Sequence, residues 1–192
     1  INNSISELDN FAILSPVSDN PGYPNYKLDL SKSPNYKGNI IRDVEEIDGY
    51  SMIINKNFFI DNFFFDEKFF MYLENVDLCL RAKKNSGQLL IITNSKIHHL
   101  GGKAVDDRYS EEIELSRNWH WMWSKFYFNK KHNGFLIAFF SVFPNFFSAV
   151  FKFIFYYLIN KKDKKEIYLH RILGFINSLL GKKSSYRARI DF

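Results

Sequence analysis

Residues Phe135–Ile159 form an apolar run of 25 residues that carries a single charge, Lys152. No other feature restricts the possible folds as strongly. A straight helix of that length spans about 37 Å, enough for a bilayer. Pro144 removes a backbone donor inside the run and Asn145 adds polarity, so two helical pieces of 9 and 14 residues are expected. Both flanks are basic: Lys125, Lys130 and Lys131 precede the run, and Lys161, Lys162, Lys164 and Lys165 follow it. A spanning helix shows a bias of basic residues between its two sides, and here there is almost none. The expectation is a broken helix lying in or dipping into an anionic cytoplasmic leaflet. The alternative is a soluble helical hairpin with solvated lysine ends, packed on the rest of the protein.

Charge divides the chain at the same place. Residues 1–124 hold 13 Lys and Arg against 18 Asp and Glu, a net of −5, whereas residues 125–192 hold 13 against 3, a net of +10. The basic part also contains 13 of the 21 Phe residues. Nucleic acid would account for the charge but not for the apolar run, and is excluded as a partner; a membrane surface accounts for both. Two domains are expected, 1–124 globular and 125–192 a basic, apolar, helical, membrane-associated tail. A hydrophobic share of 46% with 24% charged residues excludes a disordered chain. The single cysteine, Cys79, excludes a disulfide scaffold and a cysteine-built zinc site, and suits a reducing compartment. The chain opens on Ile1 without a signal peptide and is expected to be a piece of a longer polypeptide.

Local signals order the elements. Pro16, Pro21, Gly22, Pro24, Pro34 and Gly38 punctuate residues 1–47, read as one strand and a long surface loop. Gly49–Ile54 reads as a buried strand and Lys56–Asp61 as a short helix. Asp66–Lys84 reads as a helix with Lys83, Lys84, Asn85 and Gly87 as stop signals. Gln88–Thr93 reads as a strand, Lys96–Gly102 as a second extended piece, and Asp106–Lys125 as a helix. A last amphipathic helix, Glu166–Leu180, ends at Gly181.

Chemistry concentrates in two segments. On the helix from Asp66, Asp77 lies about 60° and Arg81 about 20° from Glu74, so all three share a face, with Leu73, Val76 and Leu80 as the core stripe. Two acids beside an arginine can hold a metal-bound substrate or take a proton. They can equally form an exposed face with an i,i+4 Asp77–Arg81 pair. In His98-His99-Leu100-Gly101-Gly102 an imidazole suits a divalent metal, and the glycine pair admits close approach to a phosphate. A histidine at a strand end is also a common structural hydrogen bonder. Asp48-Gly49 closes the loop before the first of these elements.

Taken in order, these segments resemble the second half of a family 2 glycosyltransferase of the GT-A fold, an α/β class, and most closely the rhamnosyltransferase-like enzymes of bacterial surface polysaccharides. The residues that carry the resemblance are Asp48 to Ile54, Phe65 to Tyr72, Glu74 to Arg81 and His99 to Gly102. Leu14-Ser15-Pro16 resembles the strand after the nucleotide-sugar half, and Arg117-Asn118, Lys131-His132 and Gly174 to Gly181 resemble the family's C-terminal tail.

The resemblance implies a partial GT-A sheet that transfers sugar with inversion from a nucleotide-sugar donor to a lipid-linked saccharide acceptor. It implies a place on the cytoplasmic face of a bacterial inner membrane, peripheral or re-entrant. Glu74 or Asp77 would be the base, and His99 would hold a divalent cation, Mg or Mn, on the donor diphosphate. Asp48, Gly49, Asn75, Arg81, Gly101 and Gly102 would bind substrate. Two positions depart from the pattern: Asn75 replaces the second acid of the acidic pair and cannot accept a proton, and Phe64 replaces a glycine. The nucleotide-binding strands and the Asp-x-Asp cation motif are expected before residue 1, so this stretch alone is expected to be inactive. The other reading is a non-catalytic membrane-associated module, a degenerate or truncated relative.

Overall fold

The computed structural model describes residues 11–29, 36–38, 40–41, 44–59, 63–100 and 106–189. The protein is mixed α/β and divides into two compact units, Ile1–Asp66 with Glu74–Gly101, and Glu67–Leu73 with Gly102–Phe192. The division differs from the charge boundary at 124/125, because the helix that carries Trp119, Met122 and Trp123 packs within the second unit.

The first unit is built on strands β1 (Phe11–Ser18), β2 (Tyr26–Leu28), β3 (Tyr36–Lys37), β4 (Ile40–Ile41), β5 (Val44–Ile47), β6 (Ile53–Ile54) and β7 (Gln88–Ile97). Five of them form a mixed sheet in the order β3-β4-β7-β1-β6, while β2 and β5 form an antiparallel pair. β1 and β7 run parallel at its centre, with Leu14 opposite Leu90. Their apolar runs are buried without alternation, Phe11–Ser15 on β1 and Leu89–Ile92 on β7, as expected of strands covered on both faces. The crossover between them carries helix α1 (Glu74–Lys84), which buries Leu78, Cys79 and Ala82 against Ile13, Ile47 and Ile91. Gly87 ends α1: its N–H donates to the Ala82 carbonyl at 2.9 Å, and a Cβ there would stand 2.4 Å from the Phe58 ring.

Several expectations are corrected. The helix begins at Glu74, not Asp66, because Tyr72 and Leu73 both take positive φ (70° and 67°) and break the helical path. Its buried face is Leu78–Cys79–Ala82, while Val76 and Leu80 are only half-buried and Leu73 packs in the second unit. Residues 56–58 form a turn rather than a helix, and the buried strand at Gly49–Ile54 shrinks to the two residues of β6. The loop expected before residue 47 contains the short strands β2 to β5. β7 absorbs Lys96 and Ile97 into one strand of 10 residues.

The second unit holds helices α2 (Ser110–Asn133), α3 (Phe135–Leu158) and α4 (Lys162–Leu179), preceded by a 3-10 turn at Asp107–Tyr109. Gly134, at φ 84°, joins α2 to α3. Met122, Phe126, Ala138, Val142 and Phe175 form the core between the three helices. A second cluster gathers Phe69, Trp119 and Trp123, with Leu73, Tyr127 and Tyr186 against it. At Gly174, α4 meets the backbone of α2 so closely that a Cβ would lie 2.1 Å from the Trp119 carbonyl oxygen.

α3 is one continuous helix of 24 residues, with Pro144 inside it, rather than two pieces. Pro144 is exposed, and Lys125 Nζ donates to Asn145 Oδ1 at 2.7 Å, so the polarity that was expected to break the run is satisfied locally. Among the described residues one helix, α3, is long and apolar enough to cross a membrane, and 17% of its apolar window is buried.

Candidate functional site

Three segments distant in sequence meet in the first unit at the turn Asp48-Gly49-Tyr50. Asn25 sets the position of that turn. It is fully buried, donates through Nδ2 to Ser15 Oγ (2.9 Å) and the Pro16 carbonyl (2.7 Å), and accepts from the Ser18 N–H (2.8 Å). Its own carbonyl accepts from the Asp48 N–H at 2.9 Å. The end of β1 thereby fixes the chain as it leaves β5.

The start of α1 comes against this turn. A Cβ on Gly49 would lie 3.5 Å from Asn75 Cβ and 4.0 Å from Glu74 Oε1. Asn75 Nδ2 donates to the Ile47 carbonyl at 2.9 Å, which ties the helix start to the end of β5. Glu74 occupies the first turn of α1, where the helix dipole favours a carboxylate. Its Oε2 is buried with no hydrogen-bond partner among the described residues. Such an acceptor is costly unless a ligand satisfies it.

From the other side, the chain leaving β7 brings His99, whose ring stacks on Tyr50 with centroids 4.0 Å apart and planes 9° apart. Burial raises the Asp48 pKa, and the His99 charge acts in the opposite direction. Burial also raises that of Glu46, with the Asp48 charge adding to it. A carboxyl held above its ordinary value is better suited to carrying a proton near neutrality.

Asp48, Gly49, Glu74, Asn75 and His99 therefore come together. Asp77 and Arg81 are arranged differently. Asp77 is fully buried and its Oδ2 accepts from Arg81 Nε at 2.9 Å. The guanidinium donates further to the carbonyls of Phe63 and Phe64 and lies over the Phe63 ring. This pair closes α1 against the chain that precedes it. Gly101 and Gly102 lie outside the described residues. Cys79 is buried, with its thiol pushed up to about 12 by burial, so it is no nucleophile at neutral pH.

Two members, Glu46 and Tyr50, escaped the sequence argument. Glu46 lies two residues before Asp48, and that spacing was the available signal. Tyr50 was legible only as part of an apolar run, since stacking on a residue 49 positions away leaves no local trace.

Among the described residues, no three His, Cys, Asp or Glu side chains gather as a metal site. His99 and Asp48 supply two donor types, an imidazole and a carboxylate, which is short of the shell that Mg or Mn requires. Comparison with protein-family models, curated proteins and solved structures finds no match.

Proposed function

We propose that this chain is the acceptor-side half of an inverting GT-A glycosyltransferase that works at a membrane surface. The observation that carries the reading is the meeting of Asp48-Gly49, Glu74-Asn75 and His99 at one turn. These are the segments on which the family resemblance rests, and they converge from positions 25 to 51 residues apart in sequence. Glu74 is the base. It takes the acceptor hydroxyl proton, and the oxygen then attacks the sugar carbon from the face opposite the departing nucleotide. The buried, unpaired Oε2 of Glu74 suits that task better than Asp77, which is held by Arg81. Asn75 orients the helix start through its bond to the Ile47 carbonyl.

His99 and Asp48 would hold one side of a divalent cation, Mg or Mn, with the remaining ligands from outside the described residues. When bound, the cation neutralises charge on the leaving diphosphate. The donor is a nucleotide sugar and the acceptor a lipid-linked saccharide, which gives the exposed apolar helix α3 its purpose. The proposed location is the cytoplasmic face of a bacterial inner membrane.

The test is transfer from a panel of nucleotide sugars to detergent-solubilised lipid-linked saccharides, using the chain with its native upstream sequence and added Mg or Mn. Turnover is expected, and Glu74→Gln is expected to lower it by at least about 100-fold, as for lost general-base chemistry. Turnover that survives Glu74→Gln removes Glu74 as the base. A second reading, a non-catalytic membrane-associated module, is favoured by Asn75, whose amide is engaged with the backbone where the family carries an acid. Absence of turnover with every donor, together with retained membrane binding, would establish that reading.

A further inference from the structure

The exposed surface of α3 continues directly into a basic concavity. Phe140, Phe147, Phe151, Tyr157 and Leu158 are 71%, 64%, 67%, 64% and 75% exposed. At the end of the helix the chain turns through Asn160, at φ 54°, and enters α4. The turn encloses a concavity of about 490 Å³, whose walls include Tyr157, Leu158, Asn160, Lys161, Lys162 and Lys165. Three lysines and two polar side-chain types thus border the tip of an apolar surface. Lys165 also pairs with Glu166 at 3.3 Å; Lys161 and Lys162 are exposed.

The packing of the second unit limits how this surface can meet a bilayer. α4 runs antiparallel along α3, as Tyr156 stacks on Tyr168 and, further along, Phe146 meets Phe175. α4 carries Lys162, Asp163, Lys164, Lys165, Glu166, His170 and Arg171, and Arg171 Nε donates to Asn118 Oδ1 on α2 at 2.6 Å. Near the middle of α3, Lys125 of α2 bonds to Asn145. Were α3 to cross the bilayer, these charges would be carried into hydrocarbon. With α3 lying flat, its exposed side enters the leaflet while α2 and α4 remain in water.

We propose that α3 lies in the plane of an anionic leaflet and that the α3–α4 corner binds the phosphate groups of lipid headgroups through Lys161, Lys162 and Lys165. The inference rests on the membrane part of the function proposed above and is independent of the transfer chemistry. The occupant is an anionic phospholipid bilayer, since the concavity is basic and opens onto a continuous apolar surface. Each lysine contributes through its charge near the headgroup plane, and Tyr157 lies at the depth of the polar boundary.

The experiment is flotation of the 192-residue chain with two vesicle types, phosphatidylcholine alone and equal parts of phosphatidylcholine and phosphatidylglycerol. Partition onto the anionic vesicles is expected to exceed that onto the neutral ones by at least about tenfold. The variant K161Q/K162Q/K165Q is expected to lose about 10- to 100-fold of the anionic partition and to keep the neutral one. The variant K56Q/K84Q/K96Q, which removes the same charge from exposed lysines of the first unit, is expected to float as the parent does. Equal losses in both variants would overturn the corner site and leave only net charge. Equal flotation on both vesicle types would overturn it and preserve the apolar contact. No flotation on either would overturn the corner site and the membrane reading together.

Discussion

Asp77 shows how a charged residue can occupy a catalytic-looking position and perform a structural task. It is fully buried and its partner Arg81 is mostly covered, with 19% of that side chain exposed. Removing one member of such a pair strands the other, which costs far more than an exposed i,i+4 pair contributes. Asp77→Ala is therefore expected to destabilise the first unit by about 3 kcal/mol, measured by urea unfolding. A loss below about 1 kcal/mol would mean that the pair behaves as a surface contact. Glu74 is expected to tolerate the isosteric Gln with a small stability change, since its buried Oε2 has no hydrogen-bond partner among the described residues. The sequence placed both acids correctly on one helix but could not tell their roles apart. Helical periodicity fixes the angle between residues, not which direction is inward. That direction depended on the Phe63 and Phe64 carbonyls reaching Arg81 from a segment outside the helix. Asp48, Asn75 and His99 were legible as residues because they lie at element ends. Their meeting at one turn was not, since Asn25 and the β1–β7 pairing bring it about.

Elements succeed or fail on single close approaches. α2 and α4 touch backbone to side-chain position at Gly174, and no side chain fits there. Gly174→Ala is expected to push the helices apart and to destabilise the second unit by about 1–3 kcal/mol, visible as a lower thermal midpoint. An unchanged midpoint would mean that α4 shifts freely. Beyond α4 the chain crosses back over α2: Trp123 Nε1 donates to the Lys182 carbonyl at 3.0 Å, and the ring nitrogens of His120 contact Ser184 Oγ at 2.8 Å and the Tyr186 carbonyl at 2.9 Å. The His120 ring also packs on Phe70 and Trp119. Burial holds its pKa below the ordinary 6.5; the bond to Tyr186 opposes that and the Arg187 charge adds to it. The folded protein thus favours the neutral ring. Its contribution is whole above pH 6.5 and is lost as pH falls through the lowered value, because the unfolded chain takes the proton first. The second unit is expected to lose stability as pH drops from about 7 to about 5, with a shallower slope in His120→Gln. Equal slopes would place the sensitivity elsewhere. Helices were expected in the sequence at all three places, with Gly181 as the stop of α4, but the one expected at Asp106–Lys125 is observed as Ser110–Asn133. The continuity of α3 through Pro144 was not expected, because a proline marks a lost backbone donor without showing whether the helix runs on past it.

At the scale of the whole molecule, the exposed side of α3 is a hazard in plain water. An apolar surface of that extent promotes self-association unless something covers it. The triple change Phe140→Ser, Phe147→Ser and Phe151→Ser is expected to convert detergent-free aggregates to smaller species in sedimentation velocity, with helical ellipticity unchanged. Persistent aggregation with intact ellipticity would show that another surface is responsible. A further consequence lies in how the chain is threaded. It leaves the first unit at Asp66, spends Glu67–Leu73 in the second, returns at Glu74, and leaves for good after Gly101. Phe69 belongs to the second unit's aromatic cluster, and the Met71 carbonyl accepts from Ser124 Oγ at 2.7 Å. The two units are therefore laced together rather than strung in series. No single crossover in a gene could separate them intact: a break after Gly101 would deprive the second unit of seven of its own residues, and a break before Glu67 would split the first. Such a pair cannot be traded independently between proteins and must be inherited as one piece.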